Sequence, residues 1–338
     1  MSQILIMGAG GFGTALAVMA HKTGHQVTMW SPFADEVSRL NNQRENTGLL
    51  PGVTIPLEIT VTGSLGCLPL QDLVILATPS YAVRSAANTL SEANLPKGMP
   101  VVCVAKGLEA GTNKTLSDIL DEELRQNPSV MLSGPSHAEE VARGVPTSIV
   151  AASRNRSAAE LVQDMLMNET LRIYISDDVL GVEYGGAVKN VIALAAGILD
   201  GLNGGDNTKA ALMTRGIAEI SRLGVAMGAK AETFAGLSGM GDLIVTCSSN
   251  HSRNRRCGIL IGQGTKPEQA VKEIGMTVEG YFCTKAAYEL SVKYKIDMPI
   301  VREIHAVLYQ NIPVQQAIRN LMERPKRHES EAIWLLTR

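Results

Sequence analysis

One charge, Lys189, stands in the stretch GGAVKNVIALAAGIL (185–199), among glycine, alanine and aliphatic side chains, with Asn190 beside it. Lysine is almost never fully buried without a partner or a job. Either its stem snorkels to solvent from a buried helix, or its amine is kept in an apolar place for use. Burial and a second cation lower such an amine from about 10.4 toward neutrality, where it can give and take protons. Three other segments carry reactive side chains: VAKGLE around Lys106, SGPSHAEEVARGVPT from Ser133, and SGMGDLIVTCSSNHSRNRR from Ser238. The last holds Asp242, whose plainer reading is a helix cap, and the cluster SRNRR. Arginine forks match the oxygens of phosphates and carboxylates, although a short basic run is more often a solvated face.

The second chemical feature is GAGGFG, in which Gly8, Gly10 and Gly13 fit GxGxxG between the apolar run ILIM and the helical TALAVMAHKTG. Gly8 permits a tight turn, Gly10 leaves room for a pyrophosphate, and Gly13 lets the helix pack close to the strand. The helix amino terminus then offers free N–H groups and a favourable dipole to phosphates. A site restricted to NAD carries an acid about 20 residues on, at the end of the second strand. Here the sequence is MWSPFADE: Trp30, Ser31 and Pro32 are not acidic, and Asp35 and Glu36 fall on the following helix. Without that repulsion both NADH and NADPH are expected to serve, with some preference for NADP(H), and Arg39 is a candidate to meet the extra phosphate.

These residues need a frame. Val- and Ile-rich runs recur at 4–7, 26–30, 72–77, 101–105, 129–133, 147–152 and 171–175, with helical periodicity between them, which predicts a largely parallel sheet. Beyond about Asp177 the strands thin out, and long apolar-periodic stretches at 184–201, 207–227, 279–293 and 299–309 predict helices. The fold expected is α/β, a Rossmann-type dinucleotide-binding domain over 1–180 followed by an all-α substrate and catalytic domain over 181–338. The charged segment 323–331 is read as a solvated terminus. Acids and bases nearly cancel to a net charge of −2, with 45% hydrophobic residues, so neither nucleic acid nor membrane is indicated as a partner. The run VIALAAGIL is well short of the ~20 residues of a membrane span, and MSQILIMGAG shows no secretory signal. Five cysteines without a CxxC pair fit free thiols in a cytoplasmic protein and no bound metal.

GAGGFGTALA, NTGLLPGVTIP, AKGLE, GPSHAEEVARGVPT, GGAVKNVIALAAGI, GLSGMGDLIVTC, SRNRR and TVEGY occur in that order from Gly8 to beyond Tyr281. In this series the chain resembles the bacterial NAD(P)-dependent glycerol-3-phosphate dehydrogenases. The resemblance implies reversible reduction of dihydroxyacetone phosphate to sn-glycerol 3-phosphate by NAD(P)H, feeding glycerophospholipid synthesis. It makes Lys189 the proton donor, and in reverse the base, with Lys106 and Asp242 as its catalytic partners. Val188, Val191 and Ile192 would desolvate the amine, Lys106 would add the second positive charge, and Asp242 would hold the ammonium.

The resemblance carries substrate contacts onto Lys106, Gly134, Ser136, Lys189, Asp242, Ser252, Arg253 and Asn254. Cofactor contacts fall on Gly8, Gly10, Gly11, Phe12, Gly13, Pro32, Lys106, Ala138, Arg253, Thr277 and Glu279. Pro32 departs from the polar or basic residue often found there. Arg255 and Arg256 are read as solvated or structural, and His137 as a solvated loop histidine. A homodimer stays open. The competing readings are a 2- or 3-hydroxyacid dehydrogenase of the same architecture, whose substrate anion is a carboxylate, and a nucleotide-sensing protein without chemistry.

Overall fold

A computed structural model describes residues 1–326 and residue 329 of the chain, so residues 327, 328, 330 and 331 of the charged tail, like 332–338, lie outside the described residues. All seven expected strands form, as β1 (Gln3–Met7), β2 (Gln26–Trp30), β6 (Leu73–Leu76), β7 (Val101–Cys103), β8 (Ser129–Ser133), β9 (Thr147–Ala152) and β10 (Leu171–Ser176). Three short strands were not expected: β3 (Glu45–Asn46), β4 (Leu50–Thr54) and β5 (Thr60–Thr62). β3 and β4 form their own antiparallel pair, and β5 extends the main sheet.

The eight-stranded sheet runs β10-β9-β8-β7-β6-β1-β2-β5, parallel at every pair except β8–β9. Both faces are covered. Successive side chains of a strand point to opposite faces, so Ile4 and Ile6 enter one apolar cluster with Leu16 and Val102, while Leu5 and Met7 enter another with Val74 and Leu120. The parallel register gathers the ends of β1, β2, β6, β7 and β8 along one edge, where a parallel α/β sheet presents its ligand sites.

The helical half begins at the Val179–Gly201 helix, capped by Asp178, whose Oδ1 accepts from the Gly181 amide at 3.0 Å. The same carboxylate accepts from the Lys230 amide and the Thr233 hydroxyl, tying a later segment to this start. By length and composition this helix is long and apolar enough to cross a membrane, but its apolar window is wholly packed inside the protein. Asp206–Ala226, Glu279–Tyr294 and Pro299–Tyr309 realise the other expected helices. Asp242–Ser248 and Arg253–Gly262 were not expected as separate helices.

The Arg253–Gly262 helix lies against the long helix backbone to backbone. A Cβ on Gly197 would collide with the Arg255 carbonyl, and one on Gly258 with the Leu194 carbonyl. The glycines thus fix the distance at which the SRNRR cluster stands from Lys189.

Candidate active site

Lys189 lies on the long buried helix, 4% exposed, and Val188, Val191 and Ile192 around it are fully enclosed. Its Nζ donates to Asp242 Oδ1 at 2.7 Å and to Thr246 Oγ1 at 2.5 Å. Asp242, the first residue of its helix and 2% exposed, receives Lys106 Nζ on its other oxygen at 2.8 Å. Lys106, just beyond β7, also donates to the Gly134 carbonyl beyond β8 at 2.7 Å. The capping alternative for Asp242 is not realised: both oxygens serve ammonium groups, and the helix has no side-chain cap. Burial pushes the Lys189 amine down, Asp242 pulls it up and Lys106 pushes it down again, leaving it at about 8. Burial raises the Asp242 carboxyl, but the two ammonium groups outweigh it and hold it below its ordinary value.

A lysine ammonium has three N–H donors. Lys189 commits two, to Asp242 and Thr246, and Lys106 commits two, to Asp242 and Gly134. Among the described residues, one N–H on each is uncommitted. The cluster also carries a net charge of +1, with two cations sharing one carboxylate. Thr246 was not singled out in the sequence, although it stands one helical turn after Asp242, the spacing at which two side chains share a face.

The neighbouring segments are tied to this cluster. Asn190 Oδ1 accepts from Asn254 Nδ2 at 2.9 Å, and Asn254 Oδ1 accepts from the Gly280 amide at 2.8 Å, so one amide chain joins three helices. Ser136 Oγ donates to the Gly134 carbonyl at 3.0 Å. Ser252 caps the Arg253–Gly262 helix, accepting from the Arg255 amide while keeping its own hydrogen to donate. Arg253 is exposed and has no hydrogen bond or ion pair among the described residues. Arg255 is structural: its Nε donates to Asp200 at 2.6 Å. His137 is not a solvated histidine. It is half-buried, its Nε2 enclosed and without a hydrogen-bond partner among the described residues, and burial followed by the positive charge of Lys189 lowers its pKa.

At the sheet edge, Gly8 takes φ +112°, where a Cβ would stand 2.7 Å from the Ala77 carbonyl oxygen, and a Cβ on Gly13 would collide with the Gly8 carbonyl. Gly10 is different: a Cβ there would meet nothing within 4 Å. The loop is therefore closed beneath and open above, at the amino terminus of the Gly11–Lys22 helix, the shape that admits a pyrophosphate. Gly11 passes close under Leu49, and Phe12 and Ala138 pack on the same apolar cluster. Glu279, two residues past Thr277, accepts from the Ser80 hydroxyl at 2.7 Å and the Ser80 amide at 3.2 Å, linking the helical half to the segment after β6. Burial raises its pKa.

Pro32 is exposed just past β2. The acid missing from the strand end is supplied from the following helix: Ser31 Oγ donates to Glu36 Oε2 at 2.6 Å, and Arg39 stands 4.0 Å from the other oxygen. The expectation that no carboxylate reaches this place does not hold, because one helical turn folds Glu36 back onto Ser31.

A largely parallel sheet with this glycine loop, joined to a helical half by a lysine–aspartate–lysine cluster to which Lys106 comes from the sheet and Lys189 and Asp242 from the helices, defines a dinucleotide-dependent oxidoreductase. The amino-terminal part, 3–159, matches the family model described as NAD-dependent glycerol-3-phosphate dehydrogenase N-terminus, and 178–319 matches its C-terminus. The chain belongs to this family. It is 52% identical over 336 residues to the glycerol-3-phosphate dehydrogenase [NAD(P)+] of Desulfitobacterium hafniense, covering 99% of this chain and 95% of that protein. The enzyme of the same name from Fusobacterium nucleatum is 49% identical, with 98% and 100% covered. Among solved structures, the glycerol-3-phosphate dehydrogenase of Coxiella burnetii superposes with a TM-score of 0.90 at 36% identity, over 96% of this chain and 99% of that one.

Proposed function

We propose that the protein reversibly reduces dihydroxyacetone phosphate to sn-glycerol 3-phosphate with NAD(P)H, in the cytoplasm and without inserting into a membrane, and so feeds glycerophospholipid synthesis. Its dinucleotide-binding part spans 1–180 and its substrate and catalytic part 181–338. The observation that carries the reading is the pair of uncommitted N–H groups on Lys189 and Lys106 around one buried carboxylate. When bound, a nicotinamide dinucleotide would supply the hydride to the ketone carbon. As that carbon is reduced, negative charge develops on its oxygen, and a preorganised cluster of net charge +1 stabilises it. Lys189 gives the proton of its uncommitted N–H to that oxygen, so that the carbonyl becomes an alcohol and the ammonium a neutral amine. Its amine, at about 8, is protonated enough to donate near neutrality and takes the proton back in the reverse direction. Asp242 holds both ammonium groups in register, and Thr246 fixes the direction of Lys189.

Arg253, without a hydrogen bond or ion pair among the described residues, binds the substrate phosphate, with Ser252 and Asn254 beside it, and Gly134 and Ser136 also contact the substrate. Gly8, Gly10, Gly11, Phe12 and Gly13 receive the dinucleotide, with Pro32 and Ala138 along it. Lys106, Arg253, Thr277 and Glu279 would also contact it. The decisive experiment follows oxidation of NADPH and NADH with dihydroxyacetone phosphate, using a panel of keto acids as controls. Rapid turnover restricted to dihydroxyacetone phosphate is expected, and preference for any keto acid would overturn the reading.

A further inference from the structure

We infer that Glu36, tethered by Ser31, is the residue that sets how strongly the protein distinguishes NADH from NADPH; this rests on the dinucleotide reading of the glycine loop. The tether is short. Ser31 directly follows β2, is 1% exposed, and is pinned by its amide to the Thr62 carbonyl at 3.1 Å. Its Oγ accepts from the Phe33 amide at 3.2 Å and donates to Glu36 at 2.6 Å. The hydroxyl has one proton, and that proton is spent on the carboxylate. Glu36 is thereby held beside the strand end, although it belongs to the Ala34–Gln43 helix.

That strand end is in contact with the glycine loop, since the Gly8 amide donates to the Trp30 carbonyl at 2.9 Å. A dinucleotide lying along the loop brings its adenosine ribose to this place. The Glu36 side chain is 23% exposed and so accessible to it. The remaining lone pairs of the carboxylate can accept from the two ribose hydroxyls of NADH. In NADPH one of those hydroxyls is a phosphate, which offers no such donor and adds like charge. Arg39, 4.0 Å from Glu36, partly offsets the repulsion, so the acid tempers the use of NADPH without forbidding it. The tether does from a helix what a strand-end acid would do directly.

The test is direct binding of NADH and NADPH, without substrate, by calorimetry or by nucleotide fluorescence. Glu36→Gln keeps shape and a donor–acceptor pair but removes the charge. The ratio Kd(NADPH)/Kd(NADH) is expected to fall about tenfold, the lower scale of a hydrogen bond to a charged group. Ser31→Ala, which frees the carboxylate, should move the ratio the same way by less. Added salt should shrink the difference between wild type and Glu36→Gln. A ratio within about twofold of wild type in Glu36→Gln, with both dinucleotides still bound, overturns the role of Glu36 and leaves the dinucleotide reading standing. A wild-type protein that binds neither dinucleotide overturns both.

Discussion

The glycine loop after β1 and the lysine cluster across the seam are made of opposite materials. The loop works by what it lacks: three glycines clear a path between backbone atoms, and the groups offered to a ligand are amides. The cluster works by side chains from three distant segments, Lys106, Lys189 and Asp242, whose charges are kept out of water. The difference lies in how each fails. A backbone site tolerates changes that add no volume, whereas a buried charge cluster depends on the sign and number of its members. Asp242 is the member on which both cations depend, and loss of Lys189 leaves Asp242 and Lys106 as a neutral pair.

The largest effect should therefore come from Asp242→Asn, which leaves the buried ammonium of Lys189 and the partly buried one of Lys106 without a counter-charge. Breaking a buried ion pair in this way costs about 3–5 kcal/mol, read as a lower denaturant midpoint. A loss below about 1 kcal/mol would mean that the carboxylate does not neutralise the pair. Lys189→Met makes the complementary case: Asp242 and Lys106 still balance, so the fold should hold while turnover drops ~100-fold or more. NADH binding should stay nearly intact, because the glycine loop lies in the other half. A variant keeping more than about a tenth of the rate would remove Lys189 from the donor role.

Next in size is Arg253→Ala, expected to weaken dihydroxyacetone phosphate by about 1.5–3 kcal/mol and unphosphorylated dihydroxyacetone much less. Equal losses with both ketones would point away from the phosphate. The smallest effect is on pH dependence. In the oxidation of glycerol 3-phosphate the neutral amine is the active form, so kcat/KM should rise as pH passes about 8. Thr246→Val removes an acceptor from the charged form, so that rise should shift to lower pH, by up to about one unit. A shift to higher pH would mean that Thr246 does not hold the ammonium.

Local pattern carried much of this molecule. The seven strands, the four long helices and the glycine loop were legible because each depends on residues close in sequence: alternation, helical periodicity, and glycine where a backbone must turn or approach. Lys189 announced itself as the one charge in an apolar stretch. β3, β4 and β5 were not legible, being two to five residues long with little apolar alternation, nor were the short helices that begin at Asp242 and Arg253.

What only tertiary structure decided is the pairing of charges. Asp242 reads equally as a helix cap or a counter-ion in sequence, and packing chose the second by placing two ammonium groups on its oxygens. Glu36 looked too far along the chain to matter, yet one helical turn and the Ser31 hydroxyl return it to the strand end. His137 looked solvated, and the fold leaves it half-buried with its Nε2 enclosed. The physical reason is common to all three: backbone preference is set over a few residues, whereas a buried polar group takes its partner from whatever segment the fold brings within about 3 Å, a hydrogen-bond distance.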